Sequence, residues 1–339
     1  MSLLTVENLC VEFRTRSGQV QALDRVSFAL DAGETLGIVG ESGSGKSVTA
    51  FALMRVLEAS GQITQGRAQF QMGARSVDLL QEPESSLRKL RGKELSIIFQ
   101  NPRTALNPIR QVGKQIRDVL RYHTDLSRSQ IQERVLDLLS QVRIPDPERR
   151  YHAYPYELSG GLCQRIMIAL ALACSPRLLI ADEPTTGLDV TTQTTILNLI
   201  RDLTQAQSMA LILITHDLAL ASEYCDRILV MHAGHTVEEA PTHTLFQTPG
   251  HPYTRQLIAA TPEPHKKLLD LEPIPGSLPD LRAKDLPPCR FQGRCDRYEP
   301  GLCDQAPLVH QTLGPDHQVA CWKPLESSLA ALPNHEPAS

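Results

Sequence analysis

The sequence predicts an α/β fold, in which helices surround a mainly parallel sheet, with a β-rich opening and a small cysteine-bearing extension at the C-terminus. Three observations support this prediction. Short strands with alternating apolar positions open the chain, strand-like and helical segments alternate in its second half, and proline and cysteine become frequent beyond Thr261. The alternation favours parallel strands joined by helical crossovers.

The β-rich opening occupies the first forty residues. Apolar positions alternate in "VENLCVEF", "VQALDRVSFAL" and "TLGIVG", and turn signals separate these segments at Ser17-Gly18 and at Asp31-Ala32-Gly33. Period-two alternation between turn residues is typical of strands. From Val48 onward the pattern becomes helical.

The next region, from about Arg103 to Leu158, is predicted to be mostly helical. One helix is especially well marked, because Ser127 and Gln130 have the spacing of a capping box. The apolar residues behind this box fall on one helical face and are Ile131, Val135, Leu138, Leu139 and Val142. We therefore expect an amphipathic helix that packs on a core.

Composition excludes several classes of protein. The chain has 339 residues, 41% of them hydrophobic and 21% charged, with a net charge of −4. This balance is typical of a globular protein and argues against an electrostatic nucleic-acid binder. The longest apolar stretch, Ile166 to Cys174, is too short for a membrane span. The start "MSLLTVENLC" has no signal-peptide pattern, so a cytosolic, reducing location is expected.

A glycine-rich loop follows the apolar strand "TLGIV" and precedes a helical segment, the context that a phosphate-binding loop requires. Gly43 and Gly45 have no Cβ, so successive backbone N–H groups can surround a phosphate at the helix N-terminus. Lys46 is expected to reach the β- and γ-phosphates, and Ser47 to hold Mg²⁺. The nucleotide contacts are expected along the whole loop "GESGSGKS", from Gly40, Glu41, Ser42, Gly43, Ser44, Gly45, Lys46 and Ser47. The loop alone does not separate kinases, GTPases, helicases and transport ATPases.

Two carboxylates after the later strand "LLIADEP" supply what phosphoryl transfer needs. Asp182 suits the metal shell, and Glu183 suits the orientation or deprotonation of the attacking water. The alternative is that both acids cap the helix that follows. A further strand, "ALILIT", ends before His216, which is expected to contact a γ-phosphate at the carboxyl edge of the sheet.

The stretch "LSGGLCQR", Leu158 to Arg165, resembles the signature of ATP-binding-cassette (ABC) ATPases. In that family the signature serves a nucleotide bound by a second subunit, so that two cassettes enclose two ATP molecules. The resemblance implies this role for Ser159, Gly160, Gly161 and Gln164. "IFQNP" resembles the Q-loop and assigns Gln100 to catalysis and to Mg²⁺. "TGLD" resembles the D-loop and assigns Asp189 to the nucleotide site. Phe13 is the candidate for stacking on adenine, with ordinary core packing as the alternative.

The resemblance also implies a domain plan. It assigns residues 1–250 to the ABC ATPase, with a helical subdomain at about 103–170 that docks membrane partners. A proline-rich linker at 251–288, a cysteine cluster region at 289–325 and a flexible tail at 326–339 follow. The segment "HPYTRQLIAATP" resembles the tail of ATPase subunits from importers of dipeptides, oligopeptides and nickel.

The function implied is ATP hydrolysis that powers import of small peptides, with dipeptides as the leading solute because the chain resembles the dipeptide-importer subunits. The implied partners are two permease chains, a second related ATPase and, indirectly, an extracytoplasmic solute-binding protein, at the cytoplasmic face of the inner membrane. Nickel or metal chelates, glutathione and opines stay open as solutes. An exporter subunit and a nucleic-acid-acting ABC ATPase are the more distant alternatives, and no nucleic-acid partner is expected.

Four cysteines near the C-terminus have a spacing of C-x5-C-x7-C-x17-C, unlike the paired knuckles of structural zinc sites. They are Cys289, Cys295, Cys303 and Cys321. Four thiolates can hold a [4Fe–4S] cluster, and subunits that the chain resembles carry one in this region. Zinc and free thiols remain alternatives. Because these cysteines lie far in sequence from every ATPase motif, the hypothesis is that a cluster here is structural.

Overall fold

The structure is a computed structural model that describes residues 2–73, 75–262, 273–283 and 285–325. The predicted tail at 326–339 lies outside the described residues. The strands are Ser2–Thr15 (β1), Gly18–Asp31 (β2), Thr35–Val39 (β3), Gly61–Met72 (β4), Arg75–Asp78 (β5), Leu95–Ile98 (β6), Leu178–Asp182 (β7), Ala210–Thr215 (β8), Arg227–His232 (β9), His235–Pro241 (β10), His310–Gly314 (β11) and His317–Ala320 (β12).

The α-helices are Lys46–Met54 (α1), Glu84–Leu90 (α2), Pro102–Ala105 (α3), Val112–His123 (α4), Arg128–Gln141 (α5), Pro147–Tyr151 (α6), Gly160–Ala171 (α7), Val190–Ala206 (α8), Leu218–Tyr224 (α9), Thr242–Gln247 (α10) and Pro252–Ala259 (α11). Single 3₁₀ turns lie at Pro155–Glu157 and Gln292–Arg294. None of the helices in the described ranges has the length and apolar character needed to span a bilayer.

The main sheet has the order β11-β12-β10-β9-β3-β8-β7-β6 among the described residues. Its central part, from β9 to β6, is entirely parallel, whereas β10, β12 and β11 add to it antiparallel. The predicted α/β fold is therefore confirmed. Both faces of the parallel strands are buried, which explains why β7 and β8 are apolar up to their last residues, Asp182 and Thr215.

The first two strands of the β-rich opening, β1 and β2, join β4 and β5 in a second, antiparallel sheet with the order β2-β1-β4-β5, whereas β3 belongs to the main sheet. Its alternating apolar side chains form one core together with the face of the main sheet that carries Leu36 and Ile38. This packing fixes the opening of the chain beside the loop that follows β3.

The helical region from α3 to α7 packs on the other face of the main sheet. The predicted amphipathic helix is α5, and both hydrogen bonds of its capping box are present between Ser127 and Gln130. The apolar face of α5 is buried as expected, through Ile131, Val135, Leu138 and Leu139. The sequence prediction for this helix is confirmed.

The C-terminal extension, which comprises the described residues 273–283 and 285–325, joins the cassette through the main sheet, because β12 pairs with β10 in the register Glu238↔Val319. The predicted linker at 251–288 begins with a regular helix, α11, whose first residue is Pro252. Proline is favoured at this position because its missing N–H would have no helical partner there. Residues 263–272, in the middle of the predicted linker, lie outside the described residues.

Candidate active site

The phosphate loop lies between β3 and α1, at the carboxyl edge of the parallel strands. Gly40 and Gly45 have φ values of 150° and 102°, a region that L side chains rarely adopt. A Cβ on Gly40 would also lie 2.1 Å from the carbonyl oxygen of Met231. Glycine is therefore required on steric grounds at the start of the loop.

Lys46 turns back over the loop. Its Nζ donates to the carbonyl oxygens of Gly40 and Glu41, at 2.8 and 2.9 Å. Burial lowers the pKa of Lys46, opposed by the carboxylates of Glu183 and Asp182. A phosphate in the loop would offer this buried ammonium an anionic acceptor, which is the role that the motif predicts.

Ser47 and Asp182 meet, although 135 residues separate them in the chain, and Ser47 Oγ donates to Asp182 Oδ1 at 2.8 Å. Burial raises the pKa of Asp182, and the hydroxyl of Ser47 opposes this shift. A hydroxyl and a carboxylate side by side are the hard oxygen donors that Mg²⁺ prefers. These two residues fit the predicted ion.

Glu183 is the centre of a polar network, since its Oε2 accepts from Gln100 Nε2 at 2.7 Å and from Thr186 Oγ1 at 2.9 Å. His216 Nδ1 lies 3.5 Å from the same oxygen. Glu183 has a φ of 44°, an uncommon conformation that costs about 1–3 kcal/mol and is typical of functional sites. Thr186 was not predicted from the sequence, and no motif marked it.

One open cavity of about 870 Å³ brings most of these groups together. The predicted site residues that line it are Phe13, Ser42, Gly43, Gly45, Lys46, Ser47, Gln100, Glu183 and His216. The ring of Phe13 also packs against Gly61, so the residue both lines the cavity and belongs to the sheet core. Leu281, from the C-terminal extension, contributes to the same wall and was not predicted.

The signature residues lie elsewhere. Ser159 caps α7, and its Oγ accepts from Leu162 N at 3.4 Å. Asp189 caps α8 through Thr192, whose hydrogen bond lowers the pKa of Asp189. Gln164 is buried, with an Nε2 that has no partner among the described residues. Among the described residues that line the cavity, none comes from 159–164 or from position 189.

The four C-terminal cysteines line one small cavity beside α11. Burial raises the pKa of the Cys289 thiol to about 12 and that of Cys321 to about 11, so a cation is needed to hold them as thiolates. Over the described ranges, no group of three or more His, Cys, Asp or Glu side chains is arranged to hold a metal ion. The four thiols thus share one cavity without forming a metal site among the described residues.

The extension also contacts the phosphate loop. Arg294, the residue before Cys295, forms an ion pair with Glu41 at 2.7 Å. The cysteine region is therefore remote from the ATPase motifs in sequence only, and no sequence motif predicted this contact. A structural role for a cluster stays a prediction, although the residue before Cys295 contacts the phosphate loop.

Two family models match the chain. The model described as "ABC transporter" matches residues 23–186, and the model described as "Oligopeptide/dipeptide transporter, C-terminal region" matches residues 237–303. The second match covers α11 and three of the four clustered cysteines. Both regions therefore resemble characterised families.

Curated relatives match over nearly their full length. The oligopeptide transport ATP-binding protein OppD of Escherichia coli is 45% identical, with 97% of this chain and 95% of the relative covered. The dipeptide transport ATP-binding protein DppD of the same organism is 43% identical, with 97% and 98% covered. A putative peptide import ATP-binding protein of Brucella abortus is 45% identical over 92% of each chain.

Among solved structures, a dimeric ATP-binding cassette in a post-hydrolysis state, bound to ADP and phosphate, aligns with a TM-score of 0.63 and 25% identity. The alignment covers 70% of this chain and 98% of that one. The part of this chain beyond an isolated cassette is thus about a third of its length.

Proposed function

The chain belongs to the ABC family of transporter ATPases, and from this premise we propose that it hydrolyses ATP to power the import of small peptides, with dipeptides as the leading solute. The observation that carries the ATPase role is the cavity in which Lys46, Ser47, Glu183 and His216 converge. The peptide assignment is supported by the C-terminal match and by the names of the relatives.

In the proposed mechanism the phosphate loop binds the triphosphate through its backbone N–H groups and Lys46. Ser47, Asp182 and Gln100 would hold Mg²⁺, which when bound would supply positive charge beside the phosphates. Glu183 orients the attacking water and takes its proton, and Gln100 holds the carboxylate of Glu183 in place. His216 Nδ1 lies 3.5 Å from Glu183 Oε2 and would contact the γ-phosphate.

The signature residues are proposed to act on a nucleotide held by another chain. Their position supports this proposal, because among the described residues that line the cavity of the phosphate loop none belongs to 159–164. Asp189 is proposed to lie, with the signature residues, at the interface with that other chain. The second cassette is proposed to be a related, separate ATPase, so that ATP favours a closed heterodimer and hydrolysis releases it.

Two permease chains are the proposed membrane partners. They would hold the ATPase at the cytoplasmic face of the inner membrane, as a peripheral subunit, with a solute-binding protein on the other side. Closure of the cassettes would reach the permeases through the helical subdomain near Gln100.

A [4Fe–4S] cluster held by Cys289, Cys295, Cys303 and Cys321 is proposed for the extension, and the shared cavity supports it. The test is the iron and acid-labile sulfide content of protein purified without oxygen. We expect about four of each per chain, lost in Cys295→Ser and retained in Cys174→Ser, a half-buried cysteine outside the cavity. Stoichiometric zinc, or no metal in the wild-type protein, would contradict the cluster.

The peptide assignment is tested in a strain that lacks this chain. Uptake of a labelled dipeptide is expected to be lost and to return with the wild-type gene, whereas uptake of nickel, glutathione and an opine should be unaffected. Loss of one of those solutes with normal dipeptide uptake would replace peptides by that solute. The outcome does not depend on whether the cysteines hold a cluster.

A further inference from the structure

One arginine connects the cysteine-bearing extension to the phosphate loop. Arg294 Nη1 lies 2.7 Å from Glu41 Oε2, and Nη2 lies 2.9 Å from Oε1. Such a two-point contact fixes direction as well as distance. The Arg294 side chain is only 5% exposed and that of Glu41 30%. The pair is therefore better shielded than an ordinary surface ion pair, which contributes little.

Glu41 passes this contact on to the rest of the loop. Its backbone N–H donates to the hydroxyl of Tyr253 at 3.0 Å, and its carbonyl oxygen accepts from Lys46 Nζ at 2.9 Å. The side chain, the N–H and the carbonyl of Glu41 thus bind three different partners. Two of these partners, Arg294 and Tyr253, lie C-terminal to β10. The third is the lysine assigned to the phosphates.

Arg294 is itself held on several sides. Its Nε donates to the carbonyl oxygen of Pro275 at 2.7 Å, its Nη1 lies 3.2 Å from His232 Nε2, and its guanidinium carbon lies 5.7 Å from the ring centre of Phe291. Phe291 is fully buried between Cys289 and Cys295 in the chain. The position of the guanidinium is therefore set by the fold of the cysteine region.

The segment around Pro275, whose carbonyl oxygen accepts a hydrogen bond from Arg294, also covers the nucleotide cavity. Leu278 lies close to the loop, with its Cδ1 3.4 Å from where a Cβ on Gly43 would be. Leu281 lines the cavity itself, and its carbonyl oxygen accepts from Gln21 N at 3.1 Å. The extension thus contacts the loop at Glu41 and approaches it at Gly43.

We propose that Arg294 is a positioning residue for the phosphate loop: through Glu41 it holds the first turn of the loop, and so makes nucleotide affinity depend on the folded state of the cysteine-bearing extension. This inference rests on the proposed nucleotide site. Because coupling between two sites is reciprocal, ATP must stabilise the extension by the same factor by which the extension strengthens ATP binding.

A purely structural role is the competing explanation, since other contacts also fix the extension to the cassette. Arg290 donates to the carbonyl oxygen of Ala233 and to Gln21. Arg255 pairs with Asp296, next to Cys295, on the exposed side of the extension. Arg255 is a matched control, because it is an arginine paired with a carboxylate of the same region but does not contact the loop.

The experiment uses the full chain with wild-type, Arg294→Gln and Arg255→Gln sequences. Affinity for a non-hydrolysable ATP analogue is measured by calorimetry. Unfolding of the extension is followed by the fluorescence of Trp322, the only tryptophan of the chain, which lines the cysteine cavity. Glu41→Gln, alone and with Arg294→Gln, completes a double-mutant cycle. If Arg294→Gln does not fold, Arg294→Lys, which keeps the charge but not the two-point contact, replaces it.

We expect Arg294→Gln to weaken analogue binding about tenfold, within the range of coupled sites, and Arg255→Gln to leave it unchanged. The analogue should shift the Trp322 transition of the wild-type protein and of Arg255→Gln more than that of Arg294→Gln. The variant with both Glu41→Gln and Arg294→Gln should lose less binding free energy for the analogue than the sum of the losses of the two single variants. Equal affinity of Arg294→Gln and wild type, or equal losses in Arg294→Gln and Arg255→Gln, would overturn the inference. Failure of the wild-type chain to bind the analogue would instead refute the proposed nucleotide site.

Discussion

The phosphate loop and the cysteine-bearing extension are neighbours that are held in place by different forces. The loop depends on local backbone geometry, through glycines with positive φ at the start of one helix. The extension depends on side-chain contacts between residues far apart in the chain, such as His317 with Glu238 and Arg294 with Glu41. The difference teaches that the backbone shape of the loop is set by neighbouring residues, although Glu41 also receives long-range contacts, whereas the extension relies mainly on a few buried polar contacts between distant residues.

The largest expected effect concerns the loop. Lys46→Ala removes the buried ammonium that we assign to the phosphates, and two charge-assisted hydrogen bonds at about 2 kcal/mol each predict about a thousandfold weaker ATP binding. Calorimetric titration with ATP measures it, and Lys89→Ala, at an exposed position on α2, is the control. Unchanged affinity in Lys46→Ala would show that the loop is not the phosphate site.

The next effect concerns the extension. The buried Glu238 carboxylate accepts from the N–H groups of Gly250 and His251, at 2.6 and 2.8 Å, and from His317 Nε2 at 2.8 Å. Glu238→Gln turns an amide toward these donors and should destabilise the extension by roughly 2–4 kcal/mol. Denaturant unfolding followed by Trp322 is the measurement. Glu299→Gln, which removes an exposed ion pair with Lys323, should lower the free energy of unfolding much less. An equal loss in both variants would contradict a stabilising role of the buried Glu238 contacts.

Acid should weaken the same region. Burial lowers the pKa of His251 to about 4 and that of His232 to about 3. Between pH 6.5 and 4 the unfolded chain therefore binds more protons than the folded chain, and stability falls as pH falls. Well below pH 6.5 and above pH 4, the neutral His251 alone lowers the free energy of unfolding by roughly 1.4 kcal/mol for each unit that the pH falls. The Trp322 unfolding midpoint should drop from pH 7 to pH 5, and a constant midpoint would rule out buried neutral histidines.

The smallest effect is expected at the edge of the nucleotide cavity. If the ring of Phe13 stacks on adenine, Phe13→Ala should weaken ATP binding about fivefold, because aromatic stacking contributes about 1 kcal/mol. Tyr122→Ala, at an exposed ring of the helical region, is the matched control. Equal binding by both variants would leave Phe13 with only its packing role against Gly61.

The sequence predicted those parts of the molecule whose function is carried by short, continuous motifs. "GESGSGKS", the acids after β7 and the capping box of α5 are each short segments whose residue types follow from backbone geometry or from phosphate chemistry. The family resemblance then supplied Gln100 and the signature. The fold class followed from the alternation of strands and helices.

The rest was out of reach because it depends on contacts between distant parts of the chain. Glu41 and Arg294 are separated by 253 positions, and neither lies in a periodic pattern that points to the other. Tyr253 and Leu281 were included in a predicted proline-rich linker, although α11 ends before Pro262 and the later segment packs over the nucleotide cavity. Proline content predicted the absence of helix there but not the contacts that extended segments make.

The most direct test of the central claim, that ATP hydrolysis by this chain powers peptide import, is ATP-driven uptake of a labelled dipeptide in vesicles that contain the permeases and the second ATPase. Glu183→Gln removes the carboxylate that we assign to the attacking water and should lower uptake about a hundredfold or more, while ATP binding persists. Uptake at the wild-type rate with Glu183→Gln would contradict the claim.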